Sequence, residues 1–103
     1  MNTDKELLEL AAKAGEIQID WERYDKDWGF ALVRTSTWWN PLADDGDALR
    51  LAVKLKMNID VIEEAAGAGA INYRWFSEPN EGDPYEATRR AIVRAAEEIG
   101  KNL

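Results

Sequence analysis

The segment Trp38-Trp39-Asn40-Pro41-Leu42-Ala43-Asp44-Asp45-Gly46-Asp47, running directly into Ala48-Leu49-Arg50-Leu51-Ala52-Val53-Lys54-Leu55, constrains the fold more than any other part of the chain. Two adjacent tryptophans bring large apolar area. Pro41 forbids helix through its own position, and three carboxylates stand where the first unpaired N–H groups of a helix need acceptors. An amphipathic pattern follows. The segment predicts an ordered loop docked on a helix, in a compact domain with one elaborated surface. It holds no group that performs chemistry by itself.

A chain of 103 residues has the length of one domain. Hydrophobic residues make up 46% and charged residues 32%, with no apolar run near the ~18 residues of a membrane span. The expectation is a soluble protein that does not meet membranes. Five Trp, three Tyr and two Phe are a heavy aromatic load. Each one buried removes roughly 150–250 Å² from water, so a core this small stands without staples.

Cysteine and histidine are both absent, which removes disulfides, thiolate nucleophiles, Cys-ligated zinc, the near-neutral imidazole base and the Ser-His and Cys-His pairs. Carboxylates, lysine and bound Mg²⁺ remain as routes to catalysis. The expectation is a protein that is not an enzyme and carries no cofactor. Met1-Asn2-Thr3-Asp4-Lys5-Glu6 lacks the basic flank and apolar centre of a secretory signal, which predicts action in the cytoplasm. A formal net charge of −7 opposes direct binding to nucleic acid, which needs clustered Lys and Arg on phosphates.

Thr3-Asp4-Lys5-Glu6 fits a capping box, and Leu7, Leu10, Ala11 and Ala14 recur at helical spacing up to Gly15. A first helix is predicted over about residues 4–14, with Gly15 as the left-handed terminator. The period then changes to two. Ile17, Ile19 and Trp21 alternate with Gln18, Asp20 and Glu22, predicting a strand with one apolar face. Asp25-Lys26-Asp27 offers a turn into a second, more central strand at Phe30-Ala31-Leu32-Val33.

A second helix is predicted over roughly 45–56, with Leu49, Ala52, Val53 and Leu55 inward. Two further strands are expected at Ile59–Ile62 and Ala70–Phe76. The small-residue run Glu64–Gly69 between them reads as the most mobile internal loop. After a polar loop, Ser77–Gly82, the sequence Asp83-Pro84-Tyr85-Glu86 gives the firmest helix start in the chain. Tyr85, Thr88, Ile92, Ala95 and Ile99 form the apolar face of that last helix, and Gly100 is positioned to end it. The expected order is α-β-β-α-β-β-α: an α+β, single-domain sandwich whose mainly antiparallel sheet is packed by helices.

Trp39-Asn40-Pro41, the Asp47–Leu55 helix, and Asp83-Pro84-Tyr85-Glu86-Ala87-Thr88-Arg89-Arg90-Ala91-Ile92-Val93-Arg94-Ala95-Ala96 after an intervening hairpin together resemble small proteins of tailed phages and prophages, the phage ABA sandwich domain family. The resemblance covers roughly residues 38–99 and rests largely on caps and core positions. It implies an α/β sandwich, with helices on both sheet faces, in a protein acting in the bacterial host cytoplasm. It carries over no catalytic residue. The alternation of the outer strands instead favours one wetter sheet face.

Five residues stand out as candidates for partner binding: Trp38, Trp39, Asp44, Asp45 and Asp47. Neighbours in an extended chain point to opposite sides, so one tryptophan is expected inward and the other outward as an aromatic anchor. Oxygen-rich loops bind Ca²⁺ or Mg²⁺, but the spacing of Asp44, Asp45 and Asp47 departs from an EF-hand. Helix capping accounts for all three, so no metal is expected. Arg90, Arg94 and Lys101 are expected on a solvated helix face, with Arg94 pairing Glu98.

The leading functional expectation is a non-enzymatic module that binds a protein of the bacterial host, with self-association open. Asp25, Asp27, Asp44, Asp45, Asp47, Asp60, Glu63, Glu64, Glu78 and Glu81 support an alternative: an acidic inhibitor that imitates nucleic acid and occupies a basic groove of a host enzyme. A carboxylate- and metal-dependent phosphoester enzyme would need several of these acids to converge.

Overall fold

The computed structural model describes residues 3–103. Met1 and Asn2, the start of the segment read for a secretory signal, lie outside the described residues. The helices begin where their caps dictate. The Thr3 hydroxyl accepts the Glu6 amide, and the Glu6 carboxylate accepts the Thr3 amide, opening α1 at Asp4–Gly15. The Thr3 backbone N–H, then its hydroxyl, holds the Glu6 carboxyl below its ordinary range. Asp44 accepts the Asp47 amide to start α2, Asp45–Lys54. Asp83 accepts the amides of Tyr85 and Glu86 ahead of α3, Pro84–Lys101, with Pro84 in its first turn.

Among the described residues six strands lie between the helices. β1 (Ile19–Asp25), β2 (Gly29–Leu32) and β3 (Trp38–Trp39) form one antiparallel meander. β4 (Asn58–Val61), β5 (Ala65–Gly69) and β6 (Phe76–Pro79) form a second. The class is α+β, as the sequence predicts, but with two three-stranded sheets in the order α-β-β-β-α-β-β-β-α. The radius of gyration, 12.8 Å, matches the ~13 Å of one compact domain this long. Among the described residues no helix is long and apolar enough to cross a membrane.

α3 is the centre of the packing. It touches α1, α2 and every strand of the second sheet, and buries Ala87, Ala91, Ile92, Val93, Ala95, Ala96, Ile99 and Gly100. So many alanines and a glycine let neighbours come close. A methyl group on Gly100 would overlap the backbone carbonyl of Leu10, so α1 and α3 cross there with no room for a side chain. Gly100 therefore lies inside the helix and does not end it.

The largest departure from the sequence reading is β5. Glu64–Gly69 reads as a mobile loop, yet Ala65–Gly69 is the central strand of the second sheet. Ala66 and Ala68 are buried on the α3 side, while a side chain on Gly67 would overlap the Trp75 indole lying across the other face. Small residues here are a packing device: they admit a helix on one face and a tryptophan on the other. The expected strand at 70–76 is correspondingly mostly turn, and β6 takes Ser77–Pro79 out of the expected polar loop.

Three smaller corrections have local causes. The register of β1 against β2 shifts between Ile19 and Tyr24. Alternation therefore flips: Tyr24 stacks on Phe30 at 4.9 Å between ring centroids, and Trp21 turns outward with only its ring edge on Phe30. Glu16, at φ 56°, supplies the left-handed end of α1, because Gly15 abuts Leu51 of α2. Finally, α2 buries Ala48, Leu51 and Ala52 and leaves Leu49 and Val53 exposed.

Candidate functional site

The tryptophan loop is built to hold itself together. Trp39 is 5% exposed and belongs to the core, whereas Trp38 is half-buried, with the Arg23 guanidinium 6.0 Å above its ring. Each of the three aspartates has a structural task. Asp44 caps α2 through the Asp47 amide at 2.8 Å. Asp45 holds Arg89 of α3 at 2.6 Å, and Arg89 also donates to the Leu42 carbonyl at 2.9 Å. Asp47 accepts the Asn40 amide at 2.9 Å and Arg50 at 2.7 Å. The carboxylates are taken up by N–H groups and arginines of the same molecule, Arg50 standing 4.0 Å from Asp44 and 2.7 Å from Asp47, and among the described residues no three acidic, His or Cys side chains converge as a metal ion requires.

Beside this loop lies a polar cleft of about 330 Å³, lined by Asp4, Tyr24, Lys26, Asp27, Asn40 and Arg90 among others. Some of its groups are engaged with one another: Arg90 with Asp4 at 3.0 Å, and the Asn40 side-chain amide with the Asp27 carbonyl at 3.2 Å. Burial, and after it the negative charges of Asp4 and Asp25, raise the Tyr24 phenol above its ordinary value. The phenol stays neutral and offers no base. The expected solvated face of α3 is likewise committed: Arg94 pairs with Glu78 of β6, not with Glu98, and Lys101 lies 3.7 Å from Glu97. Arg90 and Arg94 thus fasten α3 to α1 and β6, while Lys101 pairs within α3 itself.

The contrasting surface is an apolar groove of about 480 Å³ between α2, β4 and the start of α3, lined by Leu49, Ile59, Val61, Tyr85, Thr88 and Ile92 among others. Leu49 is 58%, Val61 52% and Tyr85 68% exposed. Val53 extends the Leu49 row one turn along α2, also open to water. One wall is a sheet edge, because among the described residues β4 pairs only with β5. Of the five candidate residues, Asp45 alone lines the groove, on its rim.

Sequence reasoning assigned Leu49, Val53 and Tyr85 inward and so missed this surface. A signal was present. Six of the eight positions from Ala48 to Leu55 are apolar, wider than one buried stripe on a short helix can use. Ala48, Leu51 and Ala52 take the inward stripe and force Leu49 and Val53 onto a second one. An open, mostly apolar groove with one charged rim is the kind of surface that binding sites use. No family model, curated protein or solved structure matches the chain.

Proposed function

We infer that this chain is a non-enzymatic protein-binding module, an accessory protein of the phage or prophage kind that residues 38–99 resemble. It engages a protein of the bacterial host in the cytoplasm through the α2–β4–α3 groove. One observation carries the reading: Leu49, Ile59, Val61 and Tyr85 expose apolar surface around one concavity, beside a strand edge that is unpaired among the described residues. Soluble proteins seldom leave such surface uncovered without a binding use for it.

The acidic-inhibitor reading draws on the net charge of −7. It is weakened where Asp45, Asp47 and Glu78 are neutralised by arginines of the same molecule. The phosphoester-enzyme reading draws least support, since Asp44, Asp45 and Asp47 are taken up by N–H groups and arginines of the same molecule.

Affinity capture from infected and uninfected bacterial lysate tests the choice. A partner retained by Trp38→Ala and lost with Leu49→Lys and with Tyr85→Lys supports the groove. A partner that survives both groove variants contradicts it. Capture that collapses between low and high salt regardless of the groove variants favours acidic mimicry instead.

A further inference from the structure

We propose that β4 receives an extended peptide segment of the partner, patterned apolar–basic–apolar, as a fourth antiparallel strand of the second sheet. This rests on the groove being the binding surface and names what enters it. β4 and β5 are joined by a tight turn in which the Ile62 amide donates to the Ala65 carbonyl at 2.9 Å. Hydrogen-bonded pairs in an antiparallel ladder alternate with non-bonded ones. Asp60 and Asn58, opposite Gly67 and Gly69, therefore bond inward to β5, while Ile59 and Val61, opposite Ala68 and Ala66, turn their N–H and C=O groups to the free edge.

The same two residues present their side chains to the groove. A strand added at this edge would bond to Ile59 and Val61 and place the residues opposite them, two apart, on the groove face. Leu49, Tyr85 and Ile92 make that face apolar. The residue between them would lie on the other face, opposite Asp60. Asp60 is exposed, and among the described residues its carboxylate forms no ion pair. A Lys or Arg is the side chain it favours across a strand pair.

Asp60 also disfavours a second copy of this chain as the occupant. The self-pairing in which the edge-facing Ile59 and Val61 bond to each other brings the two Asp60 carboxylates face to face, between two molecules each of net charge −7.

The test uses blocked nine-residue peptides with a central Val-Lys-Val, Val-Glu-Val or Val-Val-Lys, read by amide chemical shifts and hydrogen exchange on the full chain. The Val-Lys-Val peptide is expected to bind about three- to tenfold tighter than Val-Glu-Val, slowing exchange at Ile59 and Val61. Asp60→Lys, at an exposed site, is expected to reverse that preference. Equal binding of all three peptides, or perturbation that leaves the Ile59 and Val61 amides untouched, overturns the proposal. So does concentration-dependent dimerisation that protects those amides without peptide. A lysate partner lost with Leu49→Lys, alongside failure of every peptide, would leave the groove reading standing and sink only the strand-addition proposal.

Discussion

The loop from Trp38 to Asp47 and the groove between α2 and β4 differ in what they leave unsatisfied. In the loop, Trp39 is in the core and Asp44, Asp45 and Asp47 each hold a donor of the same molecule. In the groove, apolar side chains face water and one strand edge lacks a neighbour among the described residues. A conspicuous sequence cluster can thus hold its side chains to the same molecule, while an inconspicuous one leaves apolar side chains open to water.

The sharpest way to break this contrast is to truncate each region in turn. Trp39→Ala should cost about 3–5 kcal/mol by denaturant unfolding, the range for a large aromatic removed from a core. Trp38→Ala should cost ~1 kcal/mol or less. Equal losses would mean that the two indoles share the core. Next in size is the helix crossing: Gly100→Ala should destabilise by about 1–3 kcal/mol, because α1 must move away from the added methyl group. A neutral or stabilising result would show that the α1–α3 contact is looser than described.

Asp47→Ala should cost about 1–3 kcal/mol, since it strands the part-buried Asn40 amide. Leu49→Lys, in the groove, should change stability by only ~0.5 kcal/mol in either direction. A chemical unfolding series on the two variants sharpens the contrast directly. The smallest effect concerns pH. Burial, then neighbouring acids, raise the Tyr24 phenol above its ordinary 10.0 in the folded state. The stability it contributes is therefore full below pH ~10 and lost as pH rises through the folded value. Tyr24→Phe should flatten the alkaline fall in unfolding midpoint; an unchanged slope would assign that fall to other groups.

What was legible in the sequence was what local chemistry decides. The caps at Thr3, Asp44 and Asp83 depend on residues within a few positions of each other, and all three stand where expected. The hairpin turn after Asp25 is legible for the same reason. What was not legible depends on partners far along the chain. Ala-Ala-Gly-Ala-Gly becomes a strand only because α3 and Trp75 cover its two faces, and Trp21 turns outward only because β2 imposes a register shift. Arg94 prefers Glu78 of β6 to Glu98 on its own helix. The candidate site followed the same division: of the three aspartates read as caps, Asp44 caps α2 while Asp45 and Asp47 hold Arg89 and the Asn40 amide, and the groove needed the packing of α2 against α3 to reveal which apolar residues are left over.

Amide hydrogen exchange at single-residue resolution in the free protein tests the central contrast most directly. With the loop closed on itself and the β4 edge open, the Asn40 amide held by Asp47 and the Asp60 amide should exchange slowly, and those of Ile59 and Val61 fast. Slow exchange at Ile59 and Val61, matching Asp60, would show that the edge is already covered and would contradict the account.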